Sequence, residues 1–211
     1  MMTEDLIKAL VADHRAVRPF RIWPGWTFAA SGVLAGAVAC HLAFGIRPDI
    51  LAGTTAEIVL IRSATLLMLG LASLVATASL ARPGVGNNAD GWLWTTGLAA
   101  LFPATALVYA VTGRFPSSVL YAPSGVRCLL ASSLIALVIA GGLIFWLRRA
   151  APVRPQRLGW TVGLAAGSFG TLSYSLTCES SGMIYVGLWY SMAVLGSAVA
   201  CRLAVPRILR W

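Results

Sequence analysis

Two of the four cysteines could take part in thiol chemistry, because each adjoins a charged residue at the end of a long apolar stretch. Cys128 follows Arg127 at the start of one stretch, and Cys178 precedes Glu179 at the end of the next. A nearby cation and a helix N-terminus favour the reactive thiolate, whereas a carboxylate and a helix C-terminus disfavour it. In a reactive pair, Cys128 would therefore react first with the oxidant, and Cys178 would then attack the oxidised Cys128 to form the disulfide. Packing or a permanent structural disulfide would explain the same two residues without reactivity.

The elements that position these cysteines are predicted to be membrane-spanning helices. The chain of 211 residues is 58% hydrophobic and 11% charged, and its mean hydropathy is +0.81, whereas soluble domains carry about 25% charged residues. Six apolar stretches reach the roughly 20 residues that a helix needs to cross a bilayer. The fold class is therefore expected to be all-α, an integral membrane bundle of six transmembrane helices. The spans are expected at residues 27–46, 58–81, 92–112, 128–147, 159–178 and 183–204.

The distribution of basic residues predicts how this bundle is oriented. Short loops rich in Lys and Arg remain on the cytoplasmic side of a membrane. Twelve of the 16 basic residues fall on one side of the six-span arrangement, so both termini are expected in the cytoplasm and the protein in a bacterial inner membrane. The net charge of +9 then faces anionic lipid headgroups rather than nucleic acid. The four basic residues on the outer side are Arg47, Arg62, Arg114 and Arg127.

This topology brings Cys128 and Cys178 to the same depth at the outer face. The fourth and fifth helices are consecutive and antiparallel, and packed helices lie about 8–10 Å apart. Inward-pointing cysteines on such neighbours approach the geometry of a disulfide. Aromatic side chains in the same region, Tyr174, Tyr185 and Trp189, are expected to shield the pair. Cys40 and Cys201 are expected to be small packing residues, as most buried free cysteines are.

Few other polar residues fall within the predicted spans. His41 is expected to form a hydrogen bond between helices, and Arg62 to snorkel outwards or pair with Glu57. Small residues in "GVLAG" at 32–36 and "GLAAG" at 163–167 predict close helix contacts. An ion-coupled transporter would need a charged relay, and an enzyme would need a nucleophile beside a base; the spans contain neither pattern, so no enzymatic activity is expected.

A segment at the N-terminus, residues 1–24, is predicted to be cytoplasmic and to precede a transmembrane domain at 25–211. Thr3 can cap a short helix there, and acidic residues follow it in the first turn. Because that turn is acidic rather than basic, a protein partner suits the helix at least as well as a membrane surface. Its apolar face would be formed by Leu6, Ile7, Leu10 and Val11.

Several short motifs, in their order and spacing, resemble the NrsF family, the negative regulators of sigma F. They are "TEDLIKAL" near the start, "RPD" at 47–49, a cysteine opening the fourth helix, "CESS" at 178–181 followed by Trp189, and "RILRW" at the end. The resemblance extends over essentially the whole chain. Members of this family are six-helix inner-membrane proteins that act as anti-sigma factors for an extracytoplasmic-function sigma factor.

The resemblance implies particular roles for residues of this chain. The paired cysteines of the family correspond to Cys128 and Cys178, with Arg127, Glu179 and Trp189 as neighbours, and the pair would sense an oxidant or bind a thiophilic metal. The segment that holds the sigma factor corresponds to the N-terminal stretch containing Asp5, Leu6 and Leu10. Histidines that the family often carries near the second cysteine are replaced here, by Thr177 or Ser175 and by Tyr190, which favours thiol chemistry over metal chelation.

The sequence therefore predicts a membrane anti-sigma factor that releases its sigma factor when the cysteine pair reacts. Its expected partners are that sigma factor and the lipid bilayer, with no direct contact to nucleic acid and no cofactor. A small multi-span transporter or efflux component is the alternative, and a polar cavity through the bundle would favour it. The sequence itself contains no evident connection between the cysteines and the N-terminus.

Overall fold

The computed structural model describes residues 4, 21–45, 57–82, 90–112, 119, 123–150, 152–178 and 182–209. All regular structure in these ranges is helical, which confirms the all-α prediction. Six long helices follow one another in the order of the six predicted stretches. They are α1 Trp23–Phe44, α2 Glu57–Leu80, α3 Gly91–Val111, α4 Pro123–Leu147, α5 Pro155–Ser175 and α6 Met183–Ile208.

Five of the six helices are long and apolar enough to cross a membrane, namely α1, α2, α3, α4 and α6. Helix α5 has a similar length of 21 residues but is rich in glycine, serine and threonine, which lower its hydropathy. Its crossing of the membrane, and with it the total of six spans and the cytoplasmic position of both termini, remain predictions.

Helix α5 lies at the centre of the bundle. Sixteen of its 21 residues are buried, and α2, α4 and α6 pack around it, whereas α1 and α3 turn large apolar side chains such as Leu42 and Trp94 outwards. A helix that meets neighbours on every side has no surface turned towards lipid, and contacts between membrane helices are rich in small residues. The central position of α5 is therefore compatible with its low hydropathy.

Glycines on one face of α5 allow α6 to approach its backbone directly. A Cβ atom at Gly159 would lie 2.6 Å from the carbonyl oxygen of Cys201, and one at Gly167 would lie 2.9 Å from the Cα atom of Val194. Gly163, between them, faces the backbone of Ala198. The close contact predicted from the "GLAAG" motif is thus confirmed. The "GVLAG" motif of α1 likewise meets α4, because Gly32 faces Ile139.

The hydroxyl groups inside the bundle mostly satisfy their hydrogen bonds within their own helices. Ser168 donates to the carbonyl oxygen of Leu164 at 2.6 Å, and Thr171 donates to that of Gly167 at 2.8 Å. One buried pair joins two helices, since Thr77 of α2 donates to the hydroxyl of Thr161 in α5 at 3.0 Å. Most of these polar side chains can therefore fill the centre at little cost, because most of their donors are paired.

The tight contact between α5 and α6 yields a test by substitution. We expect Gly163→Val to lower the free energy of unfolding by about 3 kcal/mol or more, because its methyl groups would overlap the backbone of α6. Gly141→Val is the matched control, since a Cβ atom at Gly141 of α4 would have no neighbour within 4 Å. Thermal unfolding of both variants in detergent measures the difference. Equal melting temperatures would contradict the direct backbone contact.

Candidate thiol site

Cys128 lies in the second turn of α4 and is fully buried. The helix begins at Pro123, five residues before Cys128, so the prediction that this cysteine opens the helix is wrong. Proline suits the first position of a helix because that position needs no amide hydrogen, and it allows α4 to start earlier than the apolar stretch does. The effect of the helix dipole fades within the first turn. The argument that the helix N-terminus activates Cys128 therefore no longer applies.

Arg127 differs from Cys128 in burial. Arg127 is exposed, whereas Cys128, the next residue, is buried in the bundle. The arginine that is buried near the cysteines is Arg62 of α2, which donates to the carbonyl oxygen of Cys178. The role of Arg127 as a neighbour of the thiol stays a prediction.

Cys178 lies beyond the end of α5 rather than in its last turn. The helix ends at Ser175, and Leu176 and Thr177 form a turn before Cys178, which is also buried. Glu179, predicted to disfavour ionisation of this thiol, lies outside the described residues. Cys128 is thus fixed within a helix, whereas Cys178 belongs to the turn that follows one.

The structure brings Cys128 and Cys178 into one buried cluster, which we call the thiol site. All four cysteines of the chain are thiols rather than disulfides, and all four are buried. No group of three or more His, Cys, Asp or Glu side chains that could hold a metal ion occurs within the described ranges. Cys128 and Cys178, the two predicted members of the pair, thus lie together as thiols within this cluster.

Aromatic side chains from α5 and α6 cover the thiol site. Tyr174, Tyr185, Trp189 and Tyr190 are all buried in the same cluster. Trp189 packs directly on Gly125 of α4, where a side chain would overlap the indole. Its Nε1 atom donates to the carbonyl oxygen of Val119 at 3.0 Å. Trp189, a predicted neighbour of the site, thus closes it on the side of α4.

A π-helical turn in α6, Val186–Tyr190, carries two of these aromatic residues. A π-turn contains one residue more than an α-turn, and such turns occur frequently at functional sites. Here the turn presents Trp189 and Tyr190, adjacent in sequence, to the same buried cluster. The hydrophobic pattern of α6 contained no signal for this local geometry.

Three buried hydroxyl groups face the thiols. The hydroxyls of Ser132 and Tyr185 lie beside the thiol of Cys128, and that of Tyr190 lies beside Cys178. A thiol sulfur is a weak hydrogen-bond acceptor, whereas a negatively charged one is strong. The thiol site therefore contains donors that would bond more strongly if a sulfur atom became negatively charged.

Arg62 is buried beside the thiol site, with only 4% of its surface exposed. Its guanidinium donates to the carbonyl oxygen of Ser175 at 2.9 Å and to that of Cys178 at 3.2 Å, and it lies 5.6 Å from the centre of the Tyr190 ring. The expectation that Arg62 snorkels outwards is therefore wrong. The physical reason is that the carbonyl groups at the end of α5 lack helical partners and attract a cation.

The remaining cysteines and His41 differ in how they match the predictions. Cys201 packs in the core at the other end of the bundle. Cys40 of α1 joins the same apolar cluster as Cys128 and Cys178, a proximity that the sequence did not indicate. His41 is exposed rather than bonded between helices, so that expectation is wrong.

The predicted binding residues Asp5, Leu6, Ile7, Leu10 and Val11 lie outside the described residues.

A cavity of about 230 Å³ opens between α2, α3 and α6 next to Arg62. Apolar side chains form most of its wall, and Arg62, Thr65 and Thr105 are the polar exceptions. A transport path needs polar groups along its length, which this apolar recess does not provide. This recess, lined by described residues of α2, α3 and α6, thus does not favour the transporter alternative.

Comparison with known proteins identifies relatives over the full length of the chain. The family model described as "NrsF: Negative regulator of sigma F" matches residues 10–211. The chain is 29% identical to the anti-sigma-F factor NrsF of Caulobacter vibrioides over 218 aligned residues, and 27% identical to the probable anti-sigma-F factor NrsF of Azospira oryzae over 215. Each alignment covers 100% of both chains. No solved structure matches the chain significantly.

The cover formed by Trp189 can be tested through the reactivity of the thiols. We expect Trp189→Ala to lower the free energy of unfolding by roughly 3 kcal/mol and to accelerate labelling of Cys128 and Cys178 by N-ethylmaleimide. Trp94→Ala is the matched control, because Trp94 is 81% exposed on α3. Labelling is followed by mass spectrometry of the purified protein. Equal labelling rates in the two variants would show that Trp189 does not shield the thiols.

Proposed function

The chain belongs to the NrsF family of negative regulators of sigma F, and from this premise we propose how it works. We infer that its cytoplasmic N-terminus sequesters an extracytoplasmic-function sigma factor. The sigma factor is released when Cys128 and Cys178, facing the periplasm, are oxidised or bind a thiophilic metal. The observation that carries the proposal is the meeting of these two thiols, one in α4 and one just after α5, in one buried aromatic cluster. The protein acts as a regulator, not as an enzyme.

The proposed sigma-binding segment is residues 1–24. Leu6, Ile7, Leu10 and Val11 would form one apolar face of a helix, and Asp5 would stand beside it. An amphipathic helix of this kind suits a groove on a protein partner. The names of the two relatives, anti-sigma-F factors, agree with a sigma factor as that partner.

The proposed orientation, with both termini in the cytoplasm, is supported by contacts at one end of the bundle. Arg157 at the start of α5 stacks on the ring of Trp92, 4.9 Å from its centre, and Arg202 near the end of α6 lies 5.8 Å from that of Trp160. Basic residues favour the cytoplasmic side, and tryptophan favours the membrane interface. The thiol site lies at the opposite end, where α5 terminates, and would accordingly face the periplasm of an inner-membrane protein.

The two proposed signals differ in the charge they leave on sulfur. Oxidation removes two protons and two electrons from the thiols and yields a neutral disulfide. A thiophilic metal ion displaces the two protons and leaves thiolate sulfurs, which would accept hydrogen bonds from the buried hydroxyls of Ser132, Tyr185 and Tyr190. Either product could shift the equilibrium from nearly all bound to nearly all released, which requires about 5.5 kcal/mol of differential interaction.

The cysteine pair can be tested in cells with a reporter for the sigma factor. We expect Cys128→Ser, Cys178→Ser and the double variant to lose the response to an added oxidant or thiophilic metal to the same degree, because residues that act as one unit are not additive. Cys201→Ser is the matched control, since Cys201 packs at the other end of the bundle. A full response after Cys178→Ser would contradict the proposal. Lower protein levels in Cys128→Ser and Cys178→Ser, with no stimulus-dependent response in the wild type, would indicate a structural disulfide instead.

The N-terminal segment can be tested separately by co-purification. We expect Leu6→Glu combined with Leu10→Glu to abolish binding of the sigma factor, because two charges would interrupt the proposed apolar face. Membrane insertion should remain normal, since the segment precedes the first apolar stretch. Co-purification of the sigma factor in wild-type amounts would contradict this role for residues 1–24.

A further inference from the structure

Arg62 connects three parts of the structure that are distant in sequence. The residue lies in the second turn of α2, donates to the carbonyl oxygens of Ser175 and Cys178, and lies beneath the ring of Tyr190 in α6. Next to it, the hydroxyl of Ser63 lies 3.4 Å from that of Ser175. Among the described residues, Arg62 is the charged side chain that is buried. The proposed function assigns no role to this cation.

The two cysteines of the thiol site differ in their freedom to move. The main chain of Cys128 belongs to the hydrogen-bond ladder of α4, one turn or more from either end of that helix. Cys178 follows the end of α5, and its carbonyl oxygen is bonded by the side chain of Arg62. A disulfide requires the two sulfur atoms to approach to about 2.05 Å, closer than any contact between thiols. Cys178 is therefore the residue that must move when the pair is oxidised.

The bond from Arg62 to Cys178 is the weaker of its two bonds to the end of α5. Its length of 3.2 Å is at the upper end of the range for an N–H···O hydrogen bond, whereas the bond to Ser175 measures 2.9 Å. The cavity of about 230 Å³ adjoins Arg62 and is also bordered by Val186 at the start of the π-turn. A displaced guanidinium or a shifted turn would find space there, where a close-packed core would offer none.

We infer that Arg62 is a positioning residue that holds Cys178 in its resting place and thereby sets how readily the thiol pair is oxidised. Oxidation draws Cys178 towards Cys128 and away from Arg62, so α2 is the first element outside the thiol site to respond. This inference rests on the proposed function, because it takes the cysteine pair as the sensing site. It adds Arg62 as the residue that restrains the cysteine pair, and α2 as the helix that responds when the pair is oxidised.

Such coupling is reciprocal, which makes the inference measurable. If oxidation weakens the contact between Arg62 and Cys178, then removal of that contact must make oxidation easier by the same factor. One hydrogen bond from a charged donor corresponds to about a tenfold change in the equilibrium constant. For a two-electron couple, a tenfold change equals about 30 mV. Removal of the Arg62 side chain should accordingly make the reduction potential of the pair about 30 mV more negative.

The experiment is a redox titration of the purified full-length protein in detergent. Cys40→Ser and Cys201→Ser are present in every sample, so that Cys128 and Cys178 are the thiols observed. Glutathione disulfide oxidises the pair, with one protein disulfide and two glutathione thiols formed per reaction, and a maleimide gel shift measures the fraction oxidised. We expect Arg62→Gln to shift the equilibrium towards the disulfide by about tenfold, and Arg62→Lys, which keeps the charge but not the planar geometry, to shift it less.

Arg127→Gln is the matched control, because Arg127 adjoins Cys128 in sequence but is exposed. We expect no shift from this variant. An unchanged equilibrium in Arg62→Gln, a shift towards the thiols, or an equal shift in Arg127→Gln would overturn the inference. If Arg62→Gln does not fold, the test depends on Arg62→Lys. A thiol–disulfide equilibrium equal to that of the wild type in the folded Arg62→Lys variant would also overturn the inference.

The titration also separates this inference from the proposed function. It needs no sigma factor and reports only on the thiol pair and its restraint. A tenfold shift in Arg62→Gln, together with a full cellular response in Cys178→Ser, would support Arg62 as a restraint and contradict the cysteine pair as the sensor. Loss of the cellular response in the cysteine variants, with no shift in Arg62→Gln, would contradict the inference alone.

Discussion

The direct packing of α5 against the backbones of its neighbours is the constraint on which the rest of the structure depends. Glycines on one face of α5 admit α6, and Gly170 on another face meets the main chain of α4, where a Cβ atom would lie 2.6 Å from the carbonyl oxygen of Ser132. Contacts between backbones leave little freedom to slide, because interiors are close-packed. They fix the height of α5 relative to α4, and that height brings Cys178 to the level of Cys128.

The same constraint explains why a charged side chain can be buried at the end of α5. A helix terminus inside a bundle leaves carbonyl groups that water cannot reach, and these groups need donors. Arg62 supplies them from a neighbouring helix, because one terminal nitrogen of its guanidinium, Nη2, donates to both carbonyl oxygens. The cation is therefore part of the architecture of the bundle end as well as part of the surroundings of Cys178.

The number and order of the helices could be predicted from the sequence, because the length of an apolar stretch directly reflects the thickness of a bilayer core. The start of α4 could not, since Pro123 extends the helix by five residues of mixed polarity that hydropathy does not detect. The pairing of Cys128 with Cys178 followed from topology and resemblance alone. The inward turn of Arg62 could not be foreseen, because it depends on where α5 ends in three dimensions, and the π-turn of α6 had no sequence signal.

The composition of α5 has a consequence for how the protein is made. During synthesis a nascent helix passes from the translocon into lipid in proportion to its own hydrophobicity, and glycine, serine and threonine contribute little to that partition. Five helices of this chain are apolar enough to make the transfer individually, but α5 is not. In a bilayer α5 would therefore insert only together with α6, whose backbone covers the glycine face of α5. The two helices would enter the membrane as a hairpin beside α4. The thiol site, which includes aromatic residues of α6, would accordingly assemble only after α6 has been synthesised.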